Sequence, residues 1–190
     1  VPNGKQSMKL SFCVITKGDS ELDKLKTLID SVTTASVKTI FDSIHITTNG
    51  ENKLTEKWCK GKGFDHSYLK WNDNFAEQRN FNFARAKDAD YIVWADSDDA
   101  ILNPHLVREV AETANRSGHD AVYFTYWYGC KFDGEPSVDN FREVELSQMR
   151  ERILKVGKTV WKGRLHETPV PLDGEHFKYT RVDYSDQMPV

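Results

Sequence analysis

Apolar runs of strand length alternate with stretches of helical period four times in the first 120 residues, and this rhythm leaves few folds open to the chain. Lys9–Thr16 carries Phe12, Cys13, Val14 and Ile15 without a polar break, as a strand buried on both faces does. Leu22, Leu25, Ile29 and Val32 then repeat at helical spacing, behind a Ser20/Asp23 pair that resembles a capping box. Ser43–Thr48 reads as a second strand, ended by the turn signal Thr48-Asn49-Gly50. A short helix over Thr55–Lys60, closed by Gly61, leads to a third strand at Phe64–Leu69. A helix over Phe75–Ala86 precedes the strand at Tyr91; Asn103-Pro104 opens the next helix and Gly118 ends it. Strands joined by such crossovers pair mostly in parallel, with helices on both faces, so an α/β fold is expected.

Beyond residue 120 the rhythm breaks. Ala121–Tyr128 is an aromatic strand, Cys130–Asn140 a polar loop, and Phe141–Leu146 and Lys158–Trp161 read as further strands. At 190 residues the chain has length for one domain with a real core. We read residues 1–7 as a processing or cloning remnant. Residues 8–190 form a single domain with a regular half at 8–120 and a more irregular half at 121–190. A net charge of −3 argues against general nucleic-acid or membrane-surface binding. The apolar runs are too short for a transmembrane segment. Three scattered cysteines, Cys13, Cys59 and Cys130, fit a cytoplasmic location and no zinc spacing.

Chemistry concentrates where the apolar run Tyr91–Ala95 meets three carboxylates, Asp96, Asp98 and Asp99. Acids just past a buried strand stand at the sheet edge where ligands of open α/β folds bind. Crowded together they repel unless a cation joins them, and one or two carboxylates plus substrate phosphates is the usual Mg²⁺ arrangement. The bland alternative is a solvated acidic turn.

This strand and its Asp-Ser-Asp resemble the DxD element of glycosyltransferases of the GT-A fold. Trp71-Asn72-Asp73-Asn74-Phe75-Ala76-Glu77-Gln78-Arg79-Asn80 is similar to a W-x-D-D-F-A-x-x-R-N segment in one branch of family 2. Cys13 to Asp19 resembles that branch's first strand and turn, and Trp161-Lys162-Gly163-Arg164-Leu165-His166-Glu167 its downstream His-Glu segment. The likeness is good over residues 8–105 and thin after 120. It implies a Rossmann-like GT-A fold with a C-terminal acceptor part, and transfer of a sugar from a nucleotide diphosphate sugar with inversion. Mn²⁺ or Mg²⁺ is the implied cofactor, and the acceptor is a glycan, lipid, peptide or other hydroxyl.

Residue by residue, the resemblance implies Asp98 as metal ligand and Asp96 as ribose or metal contact. Asp99 is either a helper or a cap for the following turn. Thr16, Lys17 and Gly18 fall where the family holds the nucleoside, Gly18 letting backbone approach the ligand. Thr48 and Asn49 follow the second strand, where many members carry an Asp that reads uracil. Thr48 aligns with it here, and a UDP-sugar remains the implied donor. Asn80 and Ser97 are placed on the donor side. Arg79 either binds donor or braces Asp73 or Asp96. Inverting transfer needs a base for the acceptor hydroxyl. Glu167 fills that role, with His166 a further metal ligand or diphosphate contact, or the two exchange roles.

Arg150, Arg152, Lys155, Lys158, Lys162 and Arg164 surround Trp161 and read as a solvated basic face interleaved with Glu151. Of Tyr123, Phe124, Tyr126, Trp127 and Tyr128, one or two are left for an acceptor. Two other functions stay open: a haloacid-dehalogenase-like phosphatase with Asp96 as nucleophile, and a non-catalytic domain binding sugar nucleotide or glycan.

Overall fold

The computed structural model describes residues 7–33, 40–134, 136 and 139–182. All of the 1–7 segment except Ser7 therefore lies outside the described residues. Four strands, β1 (Leu10–Thr16), β2 (Ser43–Thr48), β3 (Asp65–Tyr68) and β4 (Tyr91–Asp96), alternate with helices α1 (Leu22–Thr33), α2 (Lys53–Lys62), α3 (Phe75–Arg85) and α4 (Pro104–Ser117). After them come β5 (Ala121–Tyr128), β6 (Lys131–Phe132), β7 (Phe141–Glu143), β8 (Leu146–Lys155), β9 (Thr159–Lys162), β10 (Thr168–Pro171) and β11 (Tyr179–Val182).

Seven strands form one sheet in the order β11-β5-β8-β4-β1-β2-β3, and β6-β7 and β9-β10 pair separately. The block β4-β1-β2-β3 is all parallel, and β8 runs antiparallel to both β4 and β5. Side-chain alternation along the strands divides the core in two. Phe12, Val14, Tyr91, Val93 and Ala95 pack with Leu25, Leu28 and Ile29 of α1 and Val107 and Ala111 of α4. Cys13, Ile92 and Trp94 pack with Ala76, Ala86 and Trp161. Asp96 lies two residues beyond Trp94, so it continues the α3 side of the sheet. That alternation decides which acid meets Arg79.

Several boundaries differ from expectation. The Ser20/Asp23 capping box does not form: a 3₁₀ turn, Asp19–Glu21, precedes α1. Asp19 instead turns outward and accepts the amides of Leu54 and Thr55 at 3.1 and 2.8 Å, so α2 starts at Lys53. Gly61 lies inside α2, and Gly63, at φ 74°, makes the left-handed exit. The expected strand Phe141–Leu146 is split, because Phe141–Glu143 joins a hairpin with β6 while Leu146 opens ten-residue β8. The basic run is a solvated face at Lys158, Lys162 and Arg164, half-buried at Arg150 and Lys155, and departs from expectation at Arg152. Arg152 is 2% exposed and Glu151 7%, inside the central sheet. Among the described residues no helix is long and apolar enough to cross a membrane.

Candidate active site

At the carboxyl ends of β1, β2 and β4 lies an open cleft of about 560 Å³, a size that suits a small-molecule ligand. Its lining includes apolar Ile15, Trp71 and Phe75 together with Asp96, Ser97 and Asp98. Asp96 and Asp98 also border a second cleft of about 500 Å³, lined as well by Tyr126, Trp127, Tyr128 and Phe132. The acidic turn is therefore a ridge between two cavities.

Its members are held very differently. Asp99 faces inward: its carboxylate accepts the Asp96 amide at 2.9 Å, the Tyr126 hydroxyl at 3.1 Å and an Arg152 N–H at 2.9 Å. It braces the turn that precedes it, Asp96–Asp99, rather than capping the one that follows. The two oxygens of Asp96 both accept from Arg79 Nη2, at 2.9 and 3.0 Å. Burial pushes the Asp96 carboxyl upward and Asp99 adds to this, while Arg79 and Arg152 pull it back. Asp98 is 60% exposed at the ridge, and its one ion pair among the described residues is a loose 3.8 Å contact with Lys24.

Arg79 is 4% exposed and sits over the rings of Trp94 and Trp161, 4.2 and 5.1 Å from their centroids. Its Nη2 also lies 2.9 Å from Glu167 Oε1, and its Nε donates to that same oxygen. One nitrogen thus bridges Asp96 and Glu167, so the structure draws together acids 71 positions apart in sequence. Arg79 does not pair with Asp73, the alternative partner considered from sequence. Asp73 instead adopts φ 59°, unusual for a non-glycine residue, and receives the Trp71 indole N–H and an Arg164 N–H.

Other predicted donor residues separate into two groups. Thr16, Lys17, Asn49 and Ser97 line the first cleft. Thr48 does not: its fully buried hydroxyl bonds His66 and the Ser67 carbonyl of β3. Asn80 is also elsewhere, because both ends of its amide hold the backbone of Trp161. Gly18 has φ 91°, and a Cβ there would lie 2.2 Å from the Glu51 carbonyl oxygen. Loop-on-loop packing alone thus requires glycine here. His166 is exposed in the turn between β9 and β10 and borders a different recess, with Arg150, Glu151 and Glu167. It does not join Asp96 and Asp98, and no group of three His, Cys, Asp or Glu among the described residues is placed to hold a metal ion.

Sequence reasoning missed Glu21. Its Oε2 accepts the Thr16 hydroxyl, the Lys17 amide and the Ser97 hydroxyl, tying the first loop to the acidic turn. Burial, which pushes this carboxyl up, is outweighed by those bonds and by the Lys17 charge, so it lies below the usual range. No local pattern marks it, because its partner Ser97 is 76 positions away.

The sequence model of glycosyl transferase family 2 matches residues 11–165. No curated protein matches the chain. Among solved structures, S. aureus TarS 1-349 in complex with UDP-GlcNAc is similar with TM-score 0.59 and 14% identity, over 92% of this chain and 59% of that one. The UDP complex of the same fragment gives 0.57 and 17%, over 94% and 62%. A 4-diphosphocytidyl-2C-methyl-D-erythritol synthase gives 0.51 and 10%, over 80% and 76%. The chain spans about three fifths of the TarS fragment's length. At these identities the likeness is one of fold, the Rossmann-like sheet of the GT-A type. With the family's sequence model matching it over most of its length, the chain belongs to glycosyl transferase family 2.

Proposed function

We propose that the chain is the catalytic domain of a metal-dependent, inverting glycosyltransferase that moves a sugar from a UDP-sugar to an acceptor hydroxyl. One observation carries the reading: a partly apolar cleft at the carboxyl edge of a parallel sheet, bordered by a half-free Asp98. Two TarS structures hold UDP or UDP-GlcNAc, which supports a uridine donor for a chain of this fold and family.

Trp71, Phe75 and Ile15 offer the base and ribose an apolar surface, and Lys17, with its side chain 74% exposed and paired to Glu21 at a loose 3.6 Å, would swing to the diphosphate. The residues fit a hard cation in the manner usual for Mg²⁺, one or two carboxylates with the remaining ligands from substrate phosphates and water. Asp98 would hold it, and Asp96 would assist or contact the ribose. A bound divalent cation would neutralise charge on the departing diphosphate. His166 has no place in this set. Glu167 is the base in this reading, kept beside Asp96 by Arg79. The acceptor enters from the second, aromatic cleft, across the ridge. Phosphatase chemistry is the weaker reading, since the family 2 sequence model matches residues 11–165.

A thermal-shift panel of nucleotide sugars with and without Mn²⁺ tests this. A UDP-sugar with Mn²⁺ at a hundredfold excess over Kd should raise Tm by about 5–10 °C, and much less without the metal. Asp98→Ala should remove the Mn²⁺-dependent part and cut UDP release about 10²–10³-fold, with the melting temperature of the free protein unchanged. Equal stabilisation without Mn²⁺, or full activity in the variant, would sink the metal assignment. A panel in which no nucleotide sugar binds would sink the donor.

A further inference from the structure

We infer that Arg152 is a positioning residue for the donor turn: a β-bulge swings its guanidinium inward onto Asp99, and through Asp99 it fixes where Asp96 and Asp98 point. This rests on the donor reading above and adds a residue to it.

The bulge comes first. Strand β8 pairs with β5 as Val122↔Ile153 and then Tyr123↔Glu151, so Arg152 is the extra residue. On its other side β8 pairs with β4 only as far as Val93↔Ile153, one residue short of Trp94. A bulge re-aims a side chain and ends pairing, and here it does both beside the last residues of β4.

What the bulge aims is specific. Arg152 lies 4.0 Å from the Trp94 ring centroid and 4.5 Å from that of Tyr126, with Nη1 2.9 Å from Asp99 Oδ2. That same oxygen accepts the Asp96 amide, while Asp99 Oδ1 accepts the Tyr126 hydroxyl. The turn is closed again by the Asp99 amide on the Asp96 carbonyl at 3.0 Å. Trp94 is in turn locked by its indole N–H on the Glu151 carbonyl. Arg79, which holds Asp96, lies over this same indole. Two guanidiniums therefore grip the two ends of the acidic turn from one ring.

Stability alone accounts poorly for the arrangement. A buried ion pair gains little over apolar residues of the same volume. Arg152 Nε is moreover buried without a hydrogen-bond partner among the described residues. A flat guanidinium suits the space beside two rings and a carboxylate, which a lysine would not reproduce.

The test compares Arg152→Lys, Arg152→Met and the double variant Arg152→Met/Asp99→Asn with wild type. Each is read by melting temperature, by calorimetric titration of UDP with and without Mn²⁺, and by kcat and KM of UDP release. The double variant removes both buried charges and should melt near wild type. Its Mn²⁺-dependent UDP affinity and its kcat should still fall about 10–100-fold. Arg152→Lys should fold and recover only part of both. A double variant that binds and turns over like wild type would overturn the inference, as would Arg152→Met losing melting temperature with its Mn²⁺ response intact. If Arg152→Met does not fold, the double variant and the lysine variant separate the same two outcomes. Wild type that binds no UDP overturns the donor reading itself, an outcome visible before any variant is compared.

Discussion

The two ends of the parallel sheet each carry a dense polar cluster, and only one of them has the makings of an active site. At the amino end, Ser11 Oγ meets Ser43 Oγ at 2.6 Å, Ser43 meets His45 Nε2 at 2.9 Å, and His45 Nδ1 meets Asp65 at 3.1 Å. Arg85 then clasps both oxygens of Asp65. Serine, histidine and aspartate stand here in the order and reach of a nucleophilic triad. Yet the series runs on from Ser11 to Arg85, and each side chain in it is already bonded to its neighbour. At the carboxyl end the inner acids are equally tied, Asp99 to Arg152 and Asp96 to Arg79, but Asp98 is left half-exposed on a ridge between two clefts. Residue types do not separate the two ends. Nor does facing a cavity, since the amino-end cluster lines a recess of about 280 Å³; the free coordination at Asp98 does.

The comparison breaks most severely at Arg79. Arg79→Met would strand Glu167, 12% exposed, and much of Asp96 without a countercharge. Removing one partner of a buried pair costs about 3–5 kcal/mol, so chemical denaturation should show a loss of that order together with loss of activity. A loss below 1 kcal/mol would mean that the acids do not depend on the bridge. Glu167→Gln is gentler. The amide keeps the shape, donor binding by calorimetry should survive, and transfer to acceptor should fall at least about 10²-fold, the usual contribution of a general base. Unchanged transfer would place the base elsewhere, and unchanged UDP hydrolysis beside lost transfer would support the role.

The fold of the first 120 residues was legible because it rests on local periods: apolar runs for strands, spacing of three and four for helices, and Gly118 and Pro104 as punctuation. The place of Asp96 and Asp98 at the end of β4 was legible for the same reason, since a strand ending in acids is a contiguous signal. Beyond residue 120 the pattern failed where tertiary pairing overrides it. Arg152 reads as surface charge unless Asp99, 53 positions away, is known to receive it. The burial of the Thr48 hydroxyl is set by β3 and the diversion of Asn80 by Trp161, neither of which a linear reading brings near. Asp19 shows the same limit in miniature, capping the helix after the next strand rather than its own.

The smallest effect belongs to the amino end and is the sharpest control. Asp65 lies below the usual carboxylate range chiefly because Arg85 donates to it, with burial opposing and His45 assisting. A carboxyl that is more acidic folded than unfolded binds fewer protons in the native state. Its stabilisation is therefore complete above the unfolded value near pH 4 and drains away as the pH falls through the lower folded value. With Asp65 about a third exposed, solvent screening limits the gain to about 1 kcal/mol. Asp65→Asn should lower Tm by a few degrees at pH 7, and the gap to wild type should shrink to nothing as the pH approaches 2–3. UDP release should be unaffected, since the cluster faces away from both clefts. A variant as stable as wild type at pH 7 would show the amino-end network to be ornamental. Lost activity with full stability would instead make it a second site, and erase the distinction between the two ends of the sheet.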